Sequence, residues 1–155
     1  MVDEKTVAET VQYVVIQIGS EQYGIDIKYV DNIVRVQHAT RVPKVAEYIR
    51  GVINLRGEVI PIMNVRLKMN LEDTEDTKNT RIIIVKLEQY GMVGLIVDEV
   101  KEVLTVSLED VDKVSYDKDE KSHFLSGIAK VDNRLISILD LNAVVSEEKD
   151  QTKEK

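Results

Sequence analysis

One segment of this chain occurs twice, and the repetition limits the folds open to it. Gly51-Val-Ile-Asn-Leu-Arg-Gly-Glu-Val-Ile-Pro-Ile-Met-Asn-Val65 returns in degraded form as Gly127-Ile-Ala-Lys-Val-Asp-Asn-Arg-Leu-Ile-Ser-Ile-Leu-Asp-Leu141. The offset is constant, 76 from residue 51 to residue 127 and again 76 from residue 65 to residue 141. The pattern reads as a tight β-hairpin followed by a helix cap. Gly57 suits the positive φ of such a turn, and Pro61, which cannot donate to a ladder, implies an edge or a bulge. Asn64 is placed to cap a short helix through Met69, and Asp140 stands in the same place in the second copy.

Upstream of each hairpin a second resemblance runs at another constant offset. Glu21-Gln-Tyr-Gly24 matches Glu88-Gln-Tyr-Gly91, and Val30-Asp-Asn-Ile33 matches Val97-Asp-Glu-Val100, both 67 residues apart. The difference between offsets of 76 and 67 is a nine-residue insertion in the second copy, placed in polar Ser107 to Ser122. Strands are expected at Val11–Ile18, Glu21–Ile27 and Val30–Val36, and in the second half at Arg81–Leu87 and Met92–Val97. Pro43 bars helix at Val42, and Asn70 to Asn79 is the linker candidate. The expected fold is mostly β, with two barrels of about five strands related by duplication, short connecting helices and a C-terminal helix. Residues 1–10 form a leader and Gln151 to Lys155 a charged tail.

Composition narrows the function. With no tryptophan and Phe124 the one phenylalanine, the core must come from Val, Ile, Leu and Met, which favours strands. A net charge of −7 argues against nucleic acid, which wants a basic stripe. The absence of cysteine excludes disulfides, thiolate zinc sites and cysteine nucleophiles. The acidic N-terminus has no apolar core of a secretory signal, and no run is long enough to span a bilayer. His38 and His123 sit in no metal-binding motif and read as solvated or structural. Glu72 to Asp76 lacks the glycine and alternation of a calcium loop and reads as solvated linker. No catalytic constellation, metal site or cofactor motif is marked.

Two features suggest partner binding instead. Arg56 lies at an exposed turn, where it either pairs with Glu58 or a nearby acid or anchors an interface, a setting in which Arg is enriched. The second copy carries its arginine two positions later, so the fold does not demand Arg56. Val30, Ile33 and Val36, echoed by Val97, Val100 and Val103, form an apolar stripe in each copy, part core and part potential patch.

The segment Gly51 to Arg66, preceded by Tyr23-Gly-Ile-Asp-Ile27 and Arg41-Val-Pro43, resembles the bacterial chemotaxis adaptor family CheW, over about Gln12 to Glu147. The resemblance implies a single CheW-like domain over 11–155, built from two five-stranded SH3-like β-barrels of about 11–79 and 80–148 whose boundaries can intertwine. It implies a non-enzymatic adaptor that couples methyl-accepting chemoreceptors to the regulatory domain of the histidine kinase CheA. Such a protein needs no cofactor, inserts in no membrane, is a monomer when free, and works in the cytoplasm at receptor arrays. Carried over by position, the receptor-side residues are Val14, Ile27, Val30, Ile33, Arg56, Gly57, Val100 and Val103. The kinase docks on barrel ends, with second-half strands involved and its residues unassigned. Position 32, acidic in some relatives and there able to pair with the hairpin arginine, is Asn32 here. Asp31, one residue earlier, is expected to face the other way. The alternatives are a CheV-like adaptor domain lacking its receiver, for which 155 residues leave no room, and a small-ligand-binding β-barrel, which needs a polar pocket that no motif marks.

Overall fold

The computed structural model describes residues 9–113 and 124–146. His123, most of the leader, the tail and much of the expected insertion lie outside the described residues. In chain order the elements are β1 (Thr10–Ile18), β2 (Glu21–Asp26), a 3-10 turn (Ile27–Tyr29), β3 (Val30–Arg35), β4 (Ile49–Leu55), β5 (Glu58–Asn64) and α1 (Val65–Lys68). The second half supplies β6 (Arg81–Leu87), β7 (Gly91–Val97), β8 (Glu99–Ser107), a 3-10 turn (Leu108–Asp110), β9 (Val111–Lys113), β10 (Leu125–Val131), β11 (Arg134–Leu139) and α2 (Leu141–Val145). The mostly β class and the doubled hairpin-plus-cap plan agree with the sequence. Asn64 Oδ1 accepts from Leu67 N at 3.3 Å, and Asp140 Oδ1 accepts from Ala143 N at 3.2 Å.

The two sheets do not follow the two halves of the sequence. One has the order β8-β1-β2-β11-β10-β9, the other β3-β6-β7-β5-β4. Hairpin β1–β2 of the first repeat therefore joins the later strands of the second repeat, and hairpin β6–β7 joins the later strands of the first. The exchange is reciprocal, so the segments 11–79 and 80–148 each contribute to both sheets. The chain changes sheet at Ile27–Tyr29 and, in the second copy, at Asp98.

Burial follows from this plan. Strands β1 and β6 carry continuous buried runs, Val14-Val15-Ile16 and Ile82-Ile83-Ile84-Val85, because both of their faces are covered. One face of β6, with Ile82 and Ile84, enters a cluster with Ile53, Ile60, Ile62 and Ile96, and Val34 packs onto it, so all five strands surround one interior. Tyr13, Val106, Ala129, Ile136 and Ile138 fill the other sheet. The opposite faces, Val14, Ile16 and Ile18 with Ile83, Val85 and Leu87, meet in the largest cluster, which joins the two sheets. Tyr48 and its repeat equivalent Phe124 both lie in that joint, as do Val65 and Leu141.

The glycine that opens each copy of the long motif has a steric reason. A Cβ on Gly51 would lie 2.4 Å from the carbonyl oxygen of Thr40, and one on Gly127 would lie 2.8 Å from that of Asp112. In each sheet a passing segment crosses the hairpin there. Thr40 pairs with Val52 through N–H···O bonds of 2.8 and 2.9 Å, and β9 pairs with β10 at Asp112 and Ile128. At the turn, Arg56 and Gly57 both have positive φ, +52° and +85°, as the mirror-image type I′ turn requires. Pro61 sits just before the parallel ladder to β7 begins at Ile62, so the strand is locally an edge on that side.

One sequence equivalence does not survive in space. Glu21-Gln-Tyr-Gly24 lies within β2 with Gly24 buried, whereas Glu88-Gln-Tyr is the turn between β6 and β7 and Gly91 has φ +74°. The spatial counterpart of Gly24 is Gly94: Gly24 pairs with Ile138 and Gly94 with Ile62, and 62 and 138 are separated by the repeat offset of 76. The β6–β7 turn is longer than the β1–β2 turn by a single residue, and the ladders align Val30 with Val100 and Ile33 with Val103 at the same offset of 70, so the tetrapeptide match and the alignment of Val30 with Val97 at offset 67 do not reflect the structural repeat.

Candidate functional site

The turn that the sequence singled out lies across from β3, one edge strand of the β3–β6–β7–β5–β4 sheet. The type I′ turn throws Arg56 outward, with 65% of its side chain exposed. Asn54 Oδ1 accepts from Gly57 N at 3.2 Å and holds the turn tight. Arg56 Nη2 donates to Asp31 Oδ2 at 3.4 Å, so the expectation that Asp31 faces away is wrong. The reason is a register shift on β3 between Val30 and Asn32, a bulge that turns Asp31 out of the alternation. Asn32 uses its Oδ1 locally, accepting from Ile33 N at 2.8 Å. The pair spans the seam between the edge strand β3 and the β4–β5 hairpin.

The other predicted residues divide by burial. Val14 is 1% exposed and belongs to the joint between the sheets. It cannot touch a partner, because the even-numbered residues of β1 face inward. Val103 lies opposite Val14 in the β1–β8 ladder and is exposed at 51%. Ile27 and Ile33 are each exposed at 37%. Val30 and Val100 are half-buried and rest on the same cluster as Val14. Of the expected residues, Ile27, Ile33, Arg56, Gly57 and Val103 are thus exposed and Val30 and Val100 half-buried. His38 is exposed.

Sequence reasoning missed a stronger electrostatic feature. Asp98, at the crossover from β7 to β8, receives Arg66 Nε at 2.9 Å and Arg66 Nη2 at 2.7 Å in bidentate geometry, and Gly19 N at 2.8 Å. It thus ties α1 and the β1–β2 turn to the point where the chain changes sheet. Burial alone would raise the Asp98 carboxyl, but the Arg66 hydrogen bonds, the Gly19 N–H and the Arg66 charge outweigh it and hold it below the ordinary carboxylate value. The sequence match of Asp31 with Asp98 carries no signal for this pair, because the ladders relate the two copies here at an offset of 70 and Asp31 lies within β3 rather than at the crossover.

Lys68 is a second missed residue, fully buried. Its Nζ donates to the carbonyls of Val144, at 2.6 Å, and Ser146, and lies 4.6 Å from the Tyr48 ring centre. It fastens the end of α1 to the end of α2. Among the described residues no three His, Cys, Asp or Glu side chains are placed to hold a metal ion. Among the same residues no helix is long and apolar enough to cross a membrane.

Comparison with known proteins supplies a context for this geometry. The profile of a family described as CheW-like domain matches residues 12–149. The chain is 39% identical over 143 residues to the chemotaxis protein CheW of Bacillus subtilis, covering 90% of this chain and 89% of that protein. It is 31% identical over 140 residues to the chemotaxis protein CheW of Helicobacter pylori, covering 90% and 84%. Among solved structures, the scaffolding protein TtCheW of Thermoanaerobacter tengcongensis superimposes with a TM-score of 0.82 at 31% identity, covering 90% of this chain and 95% of that one.

Proposed function

The chain belongs to the CheW-like family, and from that membership we propose that it is a non-enzymatic chemotaxis scaffold that couples methyl-accepting chemoreceptors to the histidine kinase CheA. The observation that carries the reading is that the similarity runs through both sheets and the joint between them, so the whole two-sheet platform is shared. A coupling protein needs two separate faces on one rigid body, and the reciprocal strand exchange supplies that body. It works as a single domain, a monomer when free, in the cytoplasm at receptor arrays.

The receptor side consists of Ile27, Ile33, Arg56, Gly57 and Val103, with Val30 and Val100 shaping the surface from behind. The support is chemical. Exposed aliphatic side chains beside an arginine whose only described ion pair is loose and solvent-exposed suit the apolar face and acidic flank of a helix. Val14 contributes by holding β8 in place. For the kinase side the strongest candidate is the β10–β11 hairpin, where Leu135 is exposed at 70%. Contacts of this size are individually moderate and gain strength by multivalency in an array.

The test is a titration of isotope-labelled protein with the CheA regulatory domain and, separately, with a receptor-tip fragment. Two distinct saturable footprints are expected, one including Ile33, Arg56 and Val103, the other including Leu135. Coincident footprints, or no response to either partner from folded protein, would refute the assignment.

A further inference from the structure

A groove of about 500 Å3 lies beside the hairpin base, between the segment leading into β4 and the end of α1. Its apolar lining comes from Val42, Ala46, Ile49 and Leu67, with Val45 exposed at the rim. Arg41, Lys44 and Arg50 bring positive charge, opposed by Glu47 and Asp73. Among the described residues neither Arg41 nor Lys44 carries an ion pair, and Lys44 is held at φ +66°.

The acidic segment 72–76, which the sequence presented as solvated linker, is fastened over one end of this groove. Asp76 accepts from Arg50 Nη1 at 2.8 Å, Asp73 Oδ1 accepts from Asn64 Nδ2 at 2.9 Å, and the Glu72 carbonyl accepts from Arg66 Nη1 at 2.9 Å. The Arg50–Asp76 pair is about two-thirds shielded on both sides, a built contact rather than a fully solvated one. The protein's own chain therefore sets two carboxylates against Arg50 and Asn64 at this end of the groove.

We propose that the groove is a docking site for an acidic extended peptide of a partner protein, and that residues 72–76 are a tethered strap that competes for its Arg50 end. With the strap released, Asp73 leaves with it, and three cations face the single acid Glu47 around an apolar floor. Such a surface selects alternating carboxylates and aliphatic side chains. The strap sits at high effective concentration because it is tethered a few residues from Asn64. A partner must outcompete it, which makes the site weak by default and sensitive to whatever engages the strap.

The probe is a capped synthetic peptide copying residues 71–76, added to isotope-labelled full-length protein in wild-type form, as Asp73→Asn/Asp76→Asn, and as that variant with Arg50→Gln. Amides of Arg41, Val45, Ala46 and Ile49 are expected to shift in the double variant, with affinity at least about tenfold above wild type and lost in high salt. Arg50→Gln is expected to abolish the gain. In wild type, saturating peptide is expected to move the amides of residues 72–76 together with those of the groove, a readout that does not depend on any variant folding. Absence of groove shifts in folded double variant, indifference to Arg50→Gln, or groove shifts in wild type without movement of the strap would each overturn the proposal.

Discussion

Replacing Arg66 by Met removes the cation that holds the β7–β8 crossover. Asp98 would lose two hydrogen bonds, of 2.9 and 2.7 Å, and keep only the Gly19 N–H at 2.8 Å, while the Glu72 carbonyl loses its donor. The pair is largely shielded, with side-chain exposures of 19% for Arg66 and 26% for Asp98. A single bond to a charged group is worth about 1.5–3 kcal/mol by mutation, and the two bonds to one carboxylate are not additive. Water reaching the exposed quarter of Asp98 recovers part of the loss, which leaves a cost of about 2–3 kcal/mol. For a chain of this size that corresponds to roughly 5–10 °C in Tm. The pH dependence has a definite sign. The folded carboxyl of Asp98 is lowered below its ordinary value, so its stabilisation is complete above that ordinary value and is lost as the pH falls through the lower folded value. The wild-type advantage is therefore full at pH 7 and narrows in the acid range below about 4. In the variant, burial without the guanidinium raises the carboxyl, and the acid limb starts at higher pH. Urea denaturation followed by circular dichroism at pH 7, 5 and 3, with the m-value checked, measures this. A difference under about 0.5 kcal/mol at pH 7, or one that is unchanged at pH 3, would refute the reasoning.

Gly51→Ala places a Cβ 2.4 Å from a backbone oxygen that cannot move without breaking the Thr40–Val52 bridge, so a loss of about 3 kcal/mol or more is expected by thermal melting, and a variant as stable as wild type would contradict it. Lys68→Met keeps the volume but removes the donor that the Val144 and Ser146 carbonyls share; about 2–3 kcal/mol should be lost, with α2 amides exchanging faster than those of β6, and unchanged α2 protection would contradict it. Arg56→Ala should change stability by less than about 1 kcal/mol, because its pair with Asp31 is exposed, while receptor-tip binding weakens severalfold in calorimetry; full binding by the variant would remove Arg56 from the interface. Val103→Glu should likewise fold normally and lose receptor binding, whereas Val14→Ala should lose about 2 kcal/mol of stability as a core cavity; the reverse pattern would invert the assignment of the β1–β8 pair.

The local devices were legible in the sequence because each depends on a few adjacent residues. The β4–β5 hairpin, the Asn64 and Asp140 caps and the doubling at offset 76 all appear where the spacing places them. The candidate surface was partly legible. Exposed Ile33, Arg56 and Val103 fit the stripe and the turn, but alternation could not reveal that Val14 faces the joint. Nor could it show that a bulge swings Asp31 onto Arg56. The acidic run 72–76 carried no sign of its strap contacts, since Arg50 and Asn64 become its partners only through folding.

What the sequence by itself determined is a pair of equivalent β units, each with a hairpin, an edge strand, a second hairpin and a capped helix. Only the tertiary structure decided which unit's hairpin pairs with which unit's later strands, because the two sets are chemically alike. The deciding quantity is the length of the crossover. The strand after each first hairpin runs antiparallel to the hairpin's first strand, so within its own sheet it would have to begin at the far end of the second. Returning along β2 or β7, six and seven residues long, spans about 17 and 20 Å at roughly 3.3 Å per residue. From Val97 to Glu99 the chain reaches only about 7 Å, and across Ile27–Tyr29 about 14 Å. Neither connection can return along its own hairpin, so each passes to the other sheet, and the exchange locks the two units into one body.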